Sequence, residues 1–284
     1  MATGFWVTAS GAAAQAQAVD VVANNLANAD TDGFKKDLPA FREYMSVLER
    51  EPVAQDIPRG PVKDKDLYPL DGKDQSFVVV DGTYTNFRQG NLKVTNNPLD
   101  LAIDGGGFFE VSTPDGVRYT RQGSLKVAMD GRLVTTEGYP VLAAQPGGLA
   151  TALPASAVQP SQGGQPTQGG VAAGQGLMGD EAARFINLRD RGVNISITEK
   201  GEIFAGENKV GQLSVVEFAQ PSQLRKQAGQ LFANSSPENL ARVGERSIVK
   251  QGVIETSNVN PIEEMTNLIK ANRMFEQDLK AMKT

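Results

Sequence analysis

The chain has 284 residues, 40% hydrophobic and 21% charged, with a net charge of −5, enough for one large or two modest domains. The acidic balance gives no electrostatic ground for binding nucleic acid or an anionic membrane. With no histidine and no cysteine, serine–histidine triads, thiolate nucleophiles, disulfides and His- or Cys-ligated metals are excluded, and no cofactor is expected; carboxylate-pair chemistry stays open by inventory.

No run approaches the ~18 apolar residues of a membrane helix, so no direct membrane insertion is expected. Met1 to Ser10 lack a basic region, and the alanine-rich stretch behind them is broken by Gln15, Gln17 and Asp20. This is unlike a signal peptide. The expectation is residence in the cytoplasm or export by a route that cleaves no leader.

The first element is a helix over about residues 4–29. Phe5, Ala9, Ala12, Ala16, Val19, Ala23 and Leu26 recur at alternating spacings of four and three, the 3.5-residue period of a helix that supercoils around a partner. Alanine favours helix and close approach but buries little area, so the helix is expected to order only with neighbours. It ends at Asn24-Asn25-Leu26-Ala27-Asn28, with Asn28 near the C-cap and Gly33 supplying a positive φ. The asparagine cluster reads either as a frayed end or as amides that set the register between helices. Lys35-Lys36 reads as a solvated turn.

A short helix over Pro39 to Glu51 is expected next, then an extended stretch punctuated by Pro52, Pro58, Pro61 and Pro69. Asp64, Asp66, Asp71 and Asp74 read as a solvated acidic loop. From Ser76 the pattern turns to strands. Phe77 to Val80 run into Asp81-Gly82, a hairpin signal. Further strands are expected at 99–103, 108–112, 118–121, 125–128 and 133–136, with Gly105, Gly116, Gly131 and Gly138 in the turns. Asp104 to Phe109 lacks the lysine and Ser/Thr of a phosphate loop and reads as a glycine turn between strands.

Residues 144–179 carry no charge before Asp180 and are rich in Gly, Ala, Gln and Pro, the composition of a flexible insert. Strands resume at 194–198, 202–205 and 212–218. Residues 221–246 read as irregular, with a short helix at 222–227. The last helix starts near Asn260-Pro261, with Glu263 and Glu264 favourably placed in its first turn. Ile262, Met265, Leu268, Asn272, Phe275, Leu279 and Met282 repeat the 3.5-residue stripe. The fold class is therefore α+β: N- and C-terminal coiled-coil helices plus a central antiparallel β-rich domain. Helices at both ends of a β-rich middle suggest a polymer subunit.

Several segments resemble the bacterial flagellar axial proteins of the rod and hook group. Asn24-Asn25-Leu26-Ala27-Asn28, Thr31 and Gly33-Phe34-Lys35 look like that group's N-terminal signature. Asn97 to Ile103 with Gly105 and Gly107-Phe108-Phe109, then Tyr119-Thr120-Arg121 and Gly138-Tyr139-Pro140-Val141-Leu142, resemble its central β motif. Ser257 to Met265 looks like its C-terminal signature. Phe34 to Phe41 and Pro261 look most like a proximal-rod member, the alternative being a distal-rod one. A β-rich adhesin or binding module is the competing reading outside the group.

The resemblance implies a non-enzymatic subunit of the basal-body rod. It would be exported by the flagellar type III apparatus, placed in the periplasm, and partnered by its own copies and other rod proteins. On that reading 1–36 and 257–284 are the helices of an inner core, 37–75 and 221–256 are connectors, and 76–143 and 181–220 form the β domain around an insert at 144–180. The implied assembly residues are Phe5, Ala9, Ala12, Ala16, Val19, Ala23, Asn24, Asn25, Leu26, Asn28 and Phe34 at one end. Ile262, Met265, Leu268, Ile269, Asn272, Phe275 and Leu279 serve at the other.

Overall fold

The protein is represented by a computed structural model that describes residues 2–46, 75–144, 184–188, 195–236, 238–244 and 246–283. It divides into two compact units: Met1–Leu26, Asp37–Tyr84 and Asn260–Thr284 form one, Ala27–Lys36 and Thr85–Val259 the other.

The first unit contains helix α1 (Ala2–Ala27), strands β1 (Asp37–Ser46) and β2 (Gln75–Thr85), and helix α2 (Pro261–Lys283). The helices are antiparallel: Gly11 lies beside Asp278, while Gln15 Nε2 donates to Ala271 O at 3.4 Å and meets Met274 Sδ at 3.7 Å. Ala14, Ala18 and Val22 are buried along α1, and Glu264 and Ala271 along α2. The start of α2 follows from its cap. Asn260 Oδ1 accepts from Ile262 N at 3.2 Å, Pro261 needs no amide donor at the first helical position, and two glutamates follow in the first turn. Strands β1 and β2 pair as a two-stranded ribbon, with Arg42 ion-paired to Asp81 at 2.8 Å.

The second unit is built on a six-stranded sheet ordered β13-β14-β6-β5-β12-β15. Its members are β5 (Phe108–Thr113), β6 (Gly116–Thr120), β12 (Val215–Phe218), β13 (Leu224–Lys226), β14 (Leu231–Asn234) and β15 (Ala241–Val243). Small antiparallel ladders surround it: β3 (Leu92–Val94) with β17 (Val253–Glu255), β4 (Leu101–Asp104) with β16 (Ile248–Gln251), and β7 (Leu125–Val127) with β8 (Leu133–Thr135). A three-stranded sheet joins β9 (Ile195–Ile197), β10 (Glu202–Ala205) and β11 (Asn208–Gln212).

Successive strand residues point to opposite faces, and here both faces are covered. Phe109, Val111 and Leu231 enter one core with Leu101, Ile103, Leu133 and Ile203. Phe108 and Phe232 enter a second with Tyr119, Val216 and Phe218. That double burial is why Phe108-Phe109 and Leu231-Phe232 are adjacent apolar pairs instead of alternating with polar residues. The second core is held by edge-on aromatic contacts, with Phe108 centroids 5.7 Å from Phe232 and 5.9 Å from Phe218.

Several expected elements differ. Residues 37–46 form β1, not the start of a helix, because β2 supplies a ladder and an edge strand tolerates Pro39. Asp81-Gly82 is no turn: β2 runs through it, with Asp81 held by Arg42. The 212–218 segment is broken at Leu213-Ser214. There the chain passes from β11 to β12, Leu213 N donating to Gly201 O and Ser214 N to Leu142 O. Residues 222–227 form the end of a 3₁₀ turn and β13, not a helix. The stretch read as irregular also holds β14 and β15, whose partners β6 and β12 are remote in sequence. The acidic loop at 64–74 and the insert from 145 onward lie outside the described residues.

Candidate assembly site

In the single chain α2 leaves large apolar residues exposed, and the apolar stripe of α1 is only partly covered. On α1, Ala12 is buried, while Ala9, Ala16, Val19 and Leu26 are half-buried and Ala23 and Asn24 exposed. The buried seam of Ala14, Ala18, Val22 and Asn25 lies about 120° around the helix from the Ala16–Val19–Ala23–Leu26 line. Phe5 lies near the start of α1, and its side chain falls outside the described set. On α2, Ile262 is 77% exposed, Met265 52%, Ile269 54% and Leu279 36%, with Asn272 exposed too; these residues share one face of the helix. Leu268 and Phe275 are half-buried.

Asn25, Phe34 and Asn28, all implied assembly residues, are engaged within the chain. Asn25 is buried, its Nδ2 donating to Asp37 O at 2.7 Å and its Oδ1 accepting from Asp37 N at 2.9 Å. One amide thereby satisfies both backbone groups at the start of β1. Phe34 is buried under Lys226, whose Nζ stands 3.6 Å from the ring centroid and donates to Lys35 O at 2.7 Å. Asn28 is half-buried just beyond α1, its carbonyl accepting from Thr31 N and its Oδ1 from Thr31 Oγ1.

Behind this turn lies a buried ionic cluster that the sequence reading missed. Lys35, expected as a solvated turn residue, has a side chain 0% exposed. Its Nζ donates to Glu255 Oε1 at 2.5 Å and to Arg88 O at 2.9 Å. Arg121 Nη1 donates to Glu255 Oε2 at 3.0 Å, Nη2 to Gly105 O at 2.5 Å, and the guanidinium sits 5.1 Å from the Phe108 centroid. Gly90 N also donates to Glu255 Oε1 at 2.8 Å. Burial pulls the Lys35 ammonium and the Arg121 guanidinium below their usual ranges, with Glu255 opposing the shift in both.

The backbone around the cluster is equally constrained. Gly33 N donates to Glu255 O at 2.7 Å, and Gly33 adopts φ +73°. An added Cβ would fall 2.7 Å from the carbonyl carbon of Arg121. Asn258 completes the junction: Oδ1 accepts from Lys36 N at 2.7 Å, and Nδ2 donates to Asn86 O and Arg88 O. The signal for the cluster lay in three charged or amide residues embedded in motif segments, Lys35, Arg121 and Asn258, but nothing local says that they meet.

Three segments match flagellar families: residues 7–35 match the flagella basal body rod protein family, 102–205 the flagellar hook protein FlgE/F/G D1 domain, and 250–284 the flagellar basal body rod FlgEFG protein C-terminal family. A flagellar basal-body rod protein FlgG of Borreliella burgdorferi is 31% identical over 291 residues, covering 100% of this chain and 95% of the relative. A FlgG of Buchnera aphidicola is 28% identical over 301 residues, covering 100% and 96%. A flagellar basal-body rod protein FlgF of Caulobacter vibrioides is 29% identical over 265 residues, covering 93% and 85%.

Proposed function

The chain belongs to the flagellar rod and hook family of axial proteins, and from that premise we propose how its ends build the axis. It is a structural subunit of the flagellar basal-body rod, not an enzyme, and it assembles with other rod proteins. In our reading α1 and α2 line an inner tube around the export channel, and the β unit packs outside. The chain leaves the cytoplasm unfolded through the flagellar export apparatus, polymerises in the periplasm, and transmits torque.

One observation carries this reading: α2 keeps Ile262, Met265, Ile269 and Leu279 exposed along one face, and the small-residue stripe of α1 is only partly covered. Such a face gains its burial from neighbouring helices, and many weak lateral contacts add to a stiff tube. The interface residues are those of the α2 face together with Phe5, Ala9, Ala16, Val19, Ala23 and Leu26.

Phe34 to Phe41 and Pro261 favour a place in the proximal rod, as FlgF. The distal rod, as FlgG, is the second reading, since relatives of that name match along the whole chain. Quantitative mass spectrometry of purified hook–basal bodies decides: a few copies per particle supports the proximal rod, several-fold more the distal rod. Absence from intact particles overturns the structural reading.

A further inference from the structure

The charge balance of the buried cluster separates its members. Arg121 and Glu255 form a complete ion pair at 3.0 Å, with Arg121 further bonded to Gly105 O and Ile103 O and Glu255 to Gly90 N. This pair joins residues that belong to the β unit throughout. Lys35 adds a second cation to a site that already holds one of each sign, with side chains 0%, 3% and 1% exposed for Lys35, Arg121 and Glu255. Seating that surplus charge costs desolvation. The cost is offset by Phe34 burial, the Gly33–Glu255 backbone bond and the Asn258 amide, all supplied by the same short segment or its partner. Without residues 33–36 the ion pair stays neutral and bonded, and both apolar cores keep all their members, none of which comes from this segment.

From this arrangement we propose that Gly33–Lys36 is a latch, a segment that seats on and releases from the β unit without unfolding it, and that Asn258 ties its seating to the order of residues 256–259. The two directions of the Asn258 amide are the coupling. Its oxygen holds Lys36 N, while its nitrogen holds the 86 and 88 carbonyls, and Arg88 O also receives Lys35 Nζ. When the latch is seated, Lys35 is fixed on the Glu255 carboxylate and Lys36 N on the Asn258 amide, which joins the segment leaving α1 to the segment entering α2. When it is released, residues 256–259 lose their bonds to Lys36 N and Phe34 O, while Thr256 keeps Asn91 O. The inference stands on the geometry of the β unit and not on the assembly reading.

Hydrogen exchange of the full-length chain, read by mass spectrometry, tests it. In the wild type, amides of 33–36 and 256–259 exchange at a common rate at least ten-fold faster than those of β5 and β6. In Asn258→Ala both segments speed up at least ten-fold together and β5 and β6 do not change. Lys35→Ala, which removes the shared contact from the other side, gives the same paired release. Three results overturn the latch: 33–36 exchanging as slowly as β5 and β6 in the wild type, release confined to the segment that carries the substitution, or loss of the β unit's protection in both variants.

Discussion

Lys35 and Glu255 stand 220 positions apart in the chain and share a 2.5 Å hydrogen bond with both side chains withdrawn from solvent. The glycine–phenylalanine–lysine run after α1 and the strand that leads into α2 are thus two halves of one contact. Glu255 is the member whose loss is most costly, because Glu255→Gln leaves two cations buried with no anion between them. A loss of about 3–5 kcal/mol is expected, read as a lower urea midpoint at unchanged slope. A change within experimental error would show that water reaches the cluster.

Gly33 is constrained twice, by its φ of +73° and by the Arg121 backbone 2.7 Å from any Cβ. The obstacle is main chain and cannot swing aside. Gly33→Ala should destabilise by about 2 kcal/mol or more, whereas Ala27→Gly, an exposed position at the end of α1, should stay within about 1 kcal/mol. Thermal unfolding of the two variants side by side makes the comparison.

Phe108 touches Phe87, Phe218 and Phe232 and lies under the Arg121 guanidinium. Phe108→Ala opens a cavity and removes a cation–π partner together, for an expected loss of about 3–5 kcal/mol. Chemical denaturation monitored by the near-ultraviolet aromatic signal checks it.

Ile269 is 54% exposed on the apolar face of α2. Ile269→Asp should leave subunit stability within about 0.5 kcal/mol yet abolish assembly and motility. Electron microscopy of basal bodies from the mutant strain is the readout, and complete rods would remove that face from the interface.

The segment 145–183 is entered and left at a single place. Ala143 N donates to Arg184 O at 2.8 Å, Leu142 bridges Phe185, and Arg184 is ion-paired to Glu110, which also accepts from Ser214 Oγ at 2.7 Å. Replacing residues 146–181 by a two-residue Asn-Gly turn should therefore preserve the fold, with stability changed by less than about 1 kcal/mol. Misfolding of the shortened chain would show that the excised residues pack against the β unit.

Glu137 lies over the Gly229 turn, where an added Cβ would fall 2.2 Å from its Oε2. Burial holds its carboxyl above the usual range. The folded pKa then exceeds the unfolded one, so ionisation weakens the fold: the cost is absent below the unfolded value and grows as pH rises through the folded one. Glu137→Gln should raise stability slightly at about pH 7, by less than about 0.5 kcal/mol because the side chain is largely exposed. The gain should vanish near pH 4. A gain that persists in acid would trace the effect to packing.

Much of the local structure was legible. Asn260-Pro261 with Glu263 and Glu264 marks the start of α2 at Pro261, and glycine turns separate β4 from β5 and β7 from β8. The β1–β2 ribbon was not legible, because a two-stranded ladder takes its state from its partner and the local signal at 39–51 favoured helix. Strands β13 to β15 were hidden for the same reason: each is three or four residues long and defined by a remote neighbour. Asn25 and Asn258 read as motif letters, and only the fold shows that each holds a stretch of backbone.

By itself the sequence determined what depends on near neighbours. The 3.5-residue stripes set two terminal helices, the missing histidine and cysteine removed whole classes of chemistry, and the ordered motif segments identified the family. Only the tertiary structure decided which face of α1 is spent inside the chain and which remains for others, and that Lys35 is buried while Ile262 is exposed. The physical reason is that burial and ion pairing are properties of the space around a side chain. In this protein that space is furnished by residues as far apart as 35 and 255, whose meeting no local pattern encodes.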